Sequence, residues 1–317
     1  MSVRFLLYGN CQIQPLHVML RLMFPEAEVH ALPLSYCLID GTSVLGEADI
    51  SFIRSIEPDD YIIHQPLGSR YQAYSIDSIT EAFVVSRARR ISIPYIIFNP
   101  YFPDAYNPNP RSKPNAQYPF GEFPYGHRWI DESMASANIS KHIFDSIIDL
   151  INRRSDSLNY NQSVIDAISR LVHRERQCDV LISDFVLDMY QRSRLFHTYD
   201  HPVFDLYCVL MQRILVAMNC SSVPFPKQHQ DVLTKTINPS MELPIYPGIA
   251  EALGLKFDTS SFSWGADQKI GLSHYIANYV STCYLDTCDG LNTIIRESRE
   301  TIKLQSIRNY MEKTFLQ

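Results

Sequence analysis

Two side chains suited to nucleophilic and acid–base chemistry stand out in this sequence, a cysteine near its start and a histidine in its second half. Cys11 follows Gly9-Asn10 and precedes Gln12, between a short apolar run and apolar residues at helical spacing. Backbone N–H groups at a helix start are unpaired and partly positive, so they favour a thiolate and stabilise an oxyanion. The pattern predicts a reactive cysteine, with a small buried cysteine in a tight turn as the alternative.

The histidine lies directly before a proline. Because the residue before a proline is driven to extended geometry, we predict His201 at the N-cap of a helix that starts at Pro202, with its ring in a cleft. An imidazole there can act as general base for a thiol or for an acceptor hydroxyl. Asp205 or Asp200 would orient the ring as in a triad, and the alternative is a histidine that only caps the helix.

A metal site is a further interpretation of this segment, since His197, His201 and Asp205 are spaced by four residues. Pro202 interrupts a continuous helix through them, so we expect no metal. The 7 cysteines form neither a CxxC pair nor a disulfide framework. Cysteines without a disulfide framework favour a reducing, cytoplasmic setting. No signal peptide is expected.

Basic residues occur beside the predicted loops of an otherwise acidic chain. Arg70, Lys113 and Arg128 are suited to phosphate, which arginine binds bidentately, with ordinary solvation as the alternative. No Walker loop, GxGxxG or GxSxG motif occurs. The formal charge of −6 argues against a general nucleic-acid binder. No apolar run approaches the roughly 20 residues of a membrane span.

The elements that must position these residues follow from the hydrophobic periodicity. We predict strands near 3–7, 29–34, 60–66 and 91–99 that alternate with helices over 13–24 and 75–90 and a helical turn over 49–56. This alternation predicts an α/β fold, a small parallel sheet flanked by helices, with ligands at the carboxyl ends of the strands.

From residue 99 onward, the composition of this 317-residue chain differs from that of its first part. Residues 99–131 are rich in proline and aromatic residues and predict an ordered binding loop or lid. A large, mostly helical part follows, with helices predicted over 139–152, 163–176, 180–195, 202–219 and 291–315. We therefore divide the chain into an α/β part, 1–135, and a helical part, 136–317, packed on it as one compact unit.

Four short segments together resemble a known family. They are Tyr8-Gly9-Asn10-Cys11-Gln12, residues 61–67 with their Gln-Pro, residues 94–103, and the Phe-His-Thr-Tyr-Asp-His-Pro of 195–202. They resemble the WcbI-type capsular polysaccharide biosynthesis proteins over roughly residues 3 to 255. That family is regarded as coenzyme A-binding acetyltransferases that O-acetylate a capsule sugar. The cysteine turn also resembles the nucleophile turn of SGNH hydrolases, but the Gly-x-Asn-Asp block of those enzymes is absent.

The resemblance implies roles for particular residues. Acetyl-coenzyme A would be the co-substrate and would lie across the strand edge, with a sugar or polysaccharide precursor as acceptor and no metal. The catalytic residues would be Cys11, His201 and Asp205, with Gly9, Asn10 and Gln12 forming the turn and oxyanion site. The coenzyme would be bound by Gln65, Arg70, Tyr71, Lys113, His127, Arg128 and His197.

Two routes and two other classes of protein stay open at this point. Cys11 would attack the thioester before His201 activates the sugar hydroxyl, or His201 would act alone as base while Cys11 shapes the site. An esterase or deacetylase would use the same pair with water. A non-catalytic sugar- or nucleotide-binding protein would use the aromatic loop to stack a ring.

Overall fold

The structure, a computed structural model, describes residues 3–33, 46–68, 75–82, 87–116, 118–136, 143–220, 241–264 and 268–284. Contacts divide the chain into two units, Met1–Phe98 with Val164–Pro239 and Asn99–Ser163 with Ser240–Gln317. The units interleave along the sequence, whereas a single boundary after residue 135 was predicted. The helix predicted over 291–315 lies outside the described residues.

A four-stranded parallel sheet forms the centre of the first unit. Its order is β2-β1-β3-β4, with β1 at Arg4–Gly9, β2 at Glu28–Pro33, β3 at Tyr61–His64 and β4 at Arg89–Ser92. Helices α1 (Ile13–Met23), α2 (Glu47–Arg54) and α3 (Ile76–Ala82) follow the first three strands. The predicted α/β class with a small parallel sheet flanked by helices is confirmed.

The central strand is apolar on both faces, as expected for a parallel sheet covered by helices. Phe5, Leu6, Leu7 and Tyr8 are all buried. In α1 the buried residues are Ile13, Leu16, Met19 and Leu20, which recur at helical spacing and lie on one face. This packing fixes the short turn between β1 and α1 at the carboxyl edge of the sheet.

The prediction for the fourth strand is wrong in where the strand begins and in its length. A helix to Arg90 and a strand over 91–99 were predicted, but β4 occupies Arg89–Ser92 and pairs with β3. The two arginines are tolerated because β4 is an edge strand and their side chains are exposed. Pro94 lacks a backbone N–H, so the ladder does not continue to Phe98.

The first unit also contains residues 164–175 of α6 (Tyr160–Glu175). Its remaining elements are α7 (Ser183–Met189), β7 (Phe196–Thr198), β8 (His201–Pro202) and α8 (Phe204–Ala217). The helix predicted over 180–195 is shorter, because the N–H groups of residues 179 and 180 both bond to the carbonyl of Ser92 and extend the chain. Strands β7 and β8 form an antiparallel hairpin, and α8 packs on α1.

The second unit is built from helices α4 (Arg128–Ser136), α5 (Ile143–Asp156), α9 (Pro247–Ala252) and α10 (Leu272–Tyr284), a 3₁₀ turn at Asn99–Tyr101, and the hairpins β5–β6 (Ala105–Tyr106, Gly126–His127) and β9–β10 (Phe262–Trp264, Gln268–Ile270). The proline- and aromatic-rich stretch 99–131 is therefore largely structured. None of the described helices is both long and apolar enough to cross a membrane.

Candidate active site

Cys11 occupies the turn between β1, which ends at Gly9, and α1, which begins at Ile13. The turn is tight: a Cβ on Gly9 would lie 2.7 Å from Oε1 of Gln65 and 2.9 Å from Cγ2 of Ile13. Asn10 closes the turn, because its Oδ1 accepts the backbone N–H of residue 12 at 2.9 Å. Cys11 is half-buried, and its own N–H has no hydrogen-bond partner within the described part of the chain.

The sulfur of Cys11 faces the imidazole of His201. The distance from Sγ to Nε2 is 3.6 Å. The other ring nitrogen, Nδ1, lies 2.8 Å from Oγ1 of Thr198 and 3.2 Å from Oδ1 of Asp200. Because a carboxylate only accepts, Nδ1 carries its hydrogen toward Asp200, and the threonine hydroxyl donates to the same oxygen at 2.9 Å. The four groups form one continuous chain of hydrogen bonds.

The structure brings Asp200, and not Asp205, to the ring. Asp205 lies in the first turn of α8 with an exposed side chain. The predicted N-cap at His201 is wrong as well: the histidine belongs to β8, and Val203 is the N-cap with φ −77° and ψ 166°. Pro202 pairs across the hairpin with β7, and this pairing delays the start of the helix.

The charge state of the histidine follows from its neighbours. Burial alone favours a neutral ring, but the hydrogen bonds and negative charges of Asp200 and Cys11 outweigh it and raise the pKa of His201 from 6.5 to about 10. At neutral pH the ring is therefore an imidazolium.

One buried carboxamide ties the cysteine turn to the histidine hairpin. Gln12 is only 3% exposed, and its Nε2 donates to the carbonyls of Ile96 and Asp200, each at 2.7 Å. Its Oε1 accepts the N–H of Ile96 at 3.1 Å and the Nε2 of Gln65 at 3.2 Å. Gln65 in turn accepts the N–H of Asn10 at 2.9 Å. These side chains set the turn's position, and three of the four hydrogen bonds of the Gln12 amide are to backbone groups.

Most of the predicted coenzyme ligands lie either in the second unit or outside the described residues. Lys113 and Arg128 belong to the second unit, where the guanidinium of Arg128 lies 5.7 Å from the centre of the Tyr106 ring. Arg70 and Tyr71 lie outside the described residues. Their roles stay predictions.

The two other predicted histidines are core residues. His197 is buried within β7 of the first unit. His127 is 1% exposed in the second unit, with Nε2 2.7 Å from the hydroxyl of Tyr275 and Nδ1 3.2 Å from Oδ2 of Asp104. Both ring nitrogens of His127 are thus bonded inside the protein. Within the described ranges no group of three His, Cys, Asp or Glu side chains could hold a metal.

The sequence assigned no role to Thr198 or to the backbone of Ile96. A signal for Thr198 exists in the Thr-Tyr-Asp-His run of 198–201, where a hydroxyl, a carboxylate and an imidazole fall within one tight turn. The contact between Gln12 and Ile96 joins residues 84 positions apart, and no local pattern indicates it.

Comparisons with known proteins agree on one family. The family described as polysaccharide biosynthesis enzyme WcbI matches residues 4–222. A solved structure of WcbI, described as a novel polysaccharide biosynthesis enzyme in its native form without a disulfide bond between coenzyme A and a cysteine, is similar with a TM-score of 0.65 and 17% identity. The match covers 94% of this chain and 99% of that one. The search of curated proteins found no match.

Proposed function

This chain belongs to the WcbI family of polysaccharide biosynthesis enzymes, and from that premise we propose that it is an acetyl-coenzyme A-dependent O-acetyltransferase. Its acceptor is a hydroxyl of a sugar or precursor of a capsular or other surface polysaccharide. The similar solved structure is described as being without a disulfide bond between coenzyme A and a cysteine, a description that names coenzyme A and a cysteine as potential bonding partners in that protein and supports a coenzyme A thiol next to a cysteine here.

The observation that carries the proposal is the 3.6 Å separation of the Cys11 sulfur and Nε2 of His201. In the first step the Cys11 thiolate attacks the thioester carbonyl, forming acetyl-Cys11 and releasing the coenzyme A thiolate. The imidazolium of His201 donates its Nε2 proton to that leaving sulfur. The free N–H of Cys11 at the start of α1 is placed to stabilise the oxyanion.

The second step reverses the proton transfer. His201, now neutral, takes the proton of the acceptor hydroxyl while the oxygen attacks the acetyl carbonyl, and the Cys11 thiolate leaves. The pair returns to its starting state with the acetyl group on the sugar. Asp200 stays ionised throughout and stabilises the imidazolium, as the carboxylate of a triad does.

The setting we propose is the cytoplasm. The cysteines within the described residues, Cys11, Cys178, Cys208, Cys220 and Cys283, are all free thiols. Free thiols persist in a reducing compartment.

Intact-protein mass spectrometry with acetyl-coenzyme A tests the proposal. We expect a mass gain of one acetyl group on the wild type, none on Cys11→Ala, and loss of the label when a sugar acceptor is added. Cys208→Ala is the control, because burial and Asp205 raise the pKa of Cys208 to about 12 and keep it a thiol. Turnover by Cys11→Ala at the wild-type rate would exclude the covalent route, and release of free acetate in the presence of sugar would indicate a hydrolase.

A further inference from the structure

Arg174 contacts a segment that is hydrogen-bonded to the residue next to Cys11. Arg174, in the last turn of α6, places its guanidinium 5.6 Å from the centre of the Tyr95 ring and Nη1 3.5 Å from the Tyr95 carbonyl. Tyr95 immediately precedes Ile96, which Gln12 holds through two hydrogen bonds, and Gln12 immediately follows Cys11. The arginine therefore contacts the residue that immediately precedes the Ile96 backbone held by Gln12.

Within the described residues, no carboxylate pairs with this arginine. The adjacent acid, Glu175, bonds instead to the backbone N–H groups at the start of α7, at 2.5 and 2.7 Å. Burial lowers the pKa of Arg174, and the like charge of Arg170, one turn earlier on α6, acts in the same direction. A half-buried cation next to a second cation is unfavourable unless an anion joins them.

The phenol of Tyr95 adds a hydrogen-bond donor to this pair. Burial raises the pKa of Tyr95, and the negative charges of Asp200 and Cys11 raise it further, so the ring stays protonated. The phenol therefore stays available as a hydrogen-bond donor at neutral pH. No partner for that hydroxyl is found within the described part of the chain.

We propose that Arg174, Arg170 and Tyr95 form a subsite for a phosphoryl group of a substrate, beside the Cys11–His201 pair. The guanidinium fork binds two phosphoryl oxygens, the phenol donates a further hydrogen bond, and Arg170 adds charge. The subsite rests on the proposed function, which brings two possible phosphate carriers to this edge. The phosphoryl group belongs either to the coenzyme A donor or to a nucleotide-linked sugar acceptor.

Calorimetric titration with three probes tests the subsite: coenzyme A, pantetheine, which has the thiol arm without phosphates, and uridine diphosphate. We expect Arg174→Gln to weaken binding of coenzyme A or uridine diphosphate by about tenfold or more, as for the loss of a charged hydrogen bond, and to leave pantetheine unchanged. Arg174→Lys should recover part of the loss. Arg176→Gln, at an exposed arginine just beyond α6, is the matched control and should bind all probes as the wild type does.

The outcomes separate the two phosphate sources. A loss confined to coenzyme A assigns the phosphoryl group to the donor, and a loss confined to uridine diphosphate assigns it to the acceptor. Unchanged binding of both, equal weakening of pantetheine, or no binding of either phosphate probe to the wild type would overturn the proposal. Should Arg174→Gln not fold, the exposed Arg170→Gln gives the same comparison with a smaller loss. An Arg174-dependent phosphate affinity in a protein that transfers no acetyl group from acetyl-coenzyme A to a sugar would refute the transferase and keep the subsite.

Discussion

Replacement of Asp200 by asparagine is expected to lower the pKa of His201 while the fold stays in place. The carboxylate lies 3.2 Å from Nδ1 of the ring and accepts the Thr198 hydroxyl at 2.9 Å. The hydrogen bond from Gln12 goes to the backbone carbonyl of residue 200, so it survives the substitution. Asp200→Asn therefore removes a charge with little change of shape.

The size of the effect follows from the raised pKa of His201. A rise from 6.5 to about 10 corresponds to about 5 kcal/mol of preference for the imidazolium. Because 35% of the side chain is exposed, solvent screening reduces this to about 2–3 kcal/mol. Asp200 and Cys11 share that stabilisation, so Asp200→Asn should lower the pKa of His201 by about 1 pH unit.

The sign of the pH dependence of stability is fixed by the direction of this shift. Since the pKa of His201 is higher in the folded than in the unfolded chain, the pair's contribution to the free energy of unfolding is fully present below pH 6.5. That contribution is lost as the pH rises through about 10. Asp200→Asn should lose a similar amount of stability at pH 6 and at pH 8, and its difference from the wild type should disappear as the pH rises through about 10.

The assay is an NMR titration of the ring Cε1–H signal, assigned by comparison with His201→Ala, together with urea unfolding across the same pH range. Asp205→Asn is the matched control: its exposed carboxylate is on α8, and the pKa of His201 should not move. A wild-type ring that titrates near 6.5, or equal shifts in the two asparagine variants, would refute the assignment of Asp200 as the orienting group.

Two further substitutions test the geometry around the turn. Gln12→Met leaves two buried carbonyls without their hydrogen-bond donor and should lower the free energy of unfolding by about 2–4 kcal/mol in urea titrations. The control is Gln14→Met, at a half-buried position, which should lower it far less. Equal effects of the two substitutions would show that the Gln12 carboxamide does not join the two segments. Gly9→Ala places a Cβ 2.7 Å from Oε1 of Gln65 and should lower the free energy of unfolding by about 1–3 kcal/mol. The control is Gly68→Ala, whose Cβ would have nothing within 4 Å and which should be nearly neutral in the same thermal or urea measurement. Wild-type stability of Gly9→Ala would contradict the close approach.

Local sequence determined the elements whose partners are nearby in the chain. The apolar run of β1, the Gly-Asn turn and the apolar spacing of α1 together predicted a cysteine between a strand and the start of a helix, because strand, turn and helix propensities act over a few residues. The alternation over the first hundred residues predicted the parallel sheet, since a parallel pair of strands requires a crossover between them. The four short motifs predicted the family, which the match over residues 4–222 confirms.

Tertiary structure decided which acidic residue meets the imidazole and where β4 lies. The sequence left both Asp205 and Asp200 as orienting groups for the ring. Pairing of Pro202 with Phe196 holds the chain extended, and Asp200 is the one that contacts the ring. Tertiary structure also decided the thiol–imidazole contact, which joins residues 190 positions apart in the sequence. It likewise decided the contact of Arg174 with Tyr95, which lies 79 positions earlier. Such contacts arise only when separate elements pack on one sheet edge, because periodicity fixes which face of an element is buried and not which distant residue covers it.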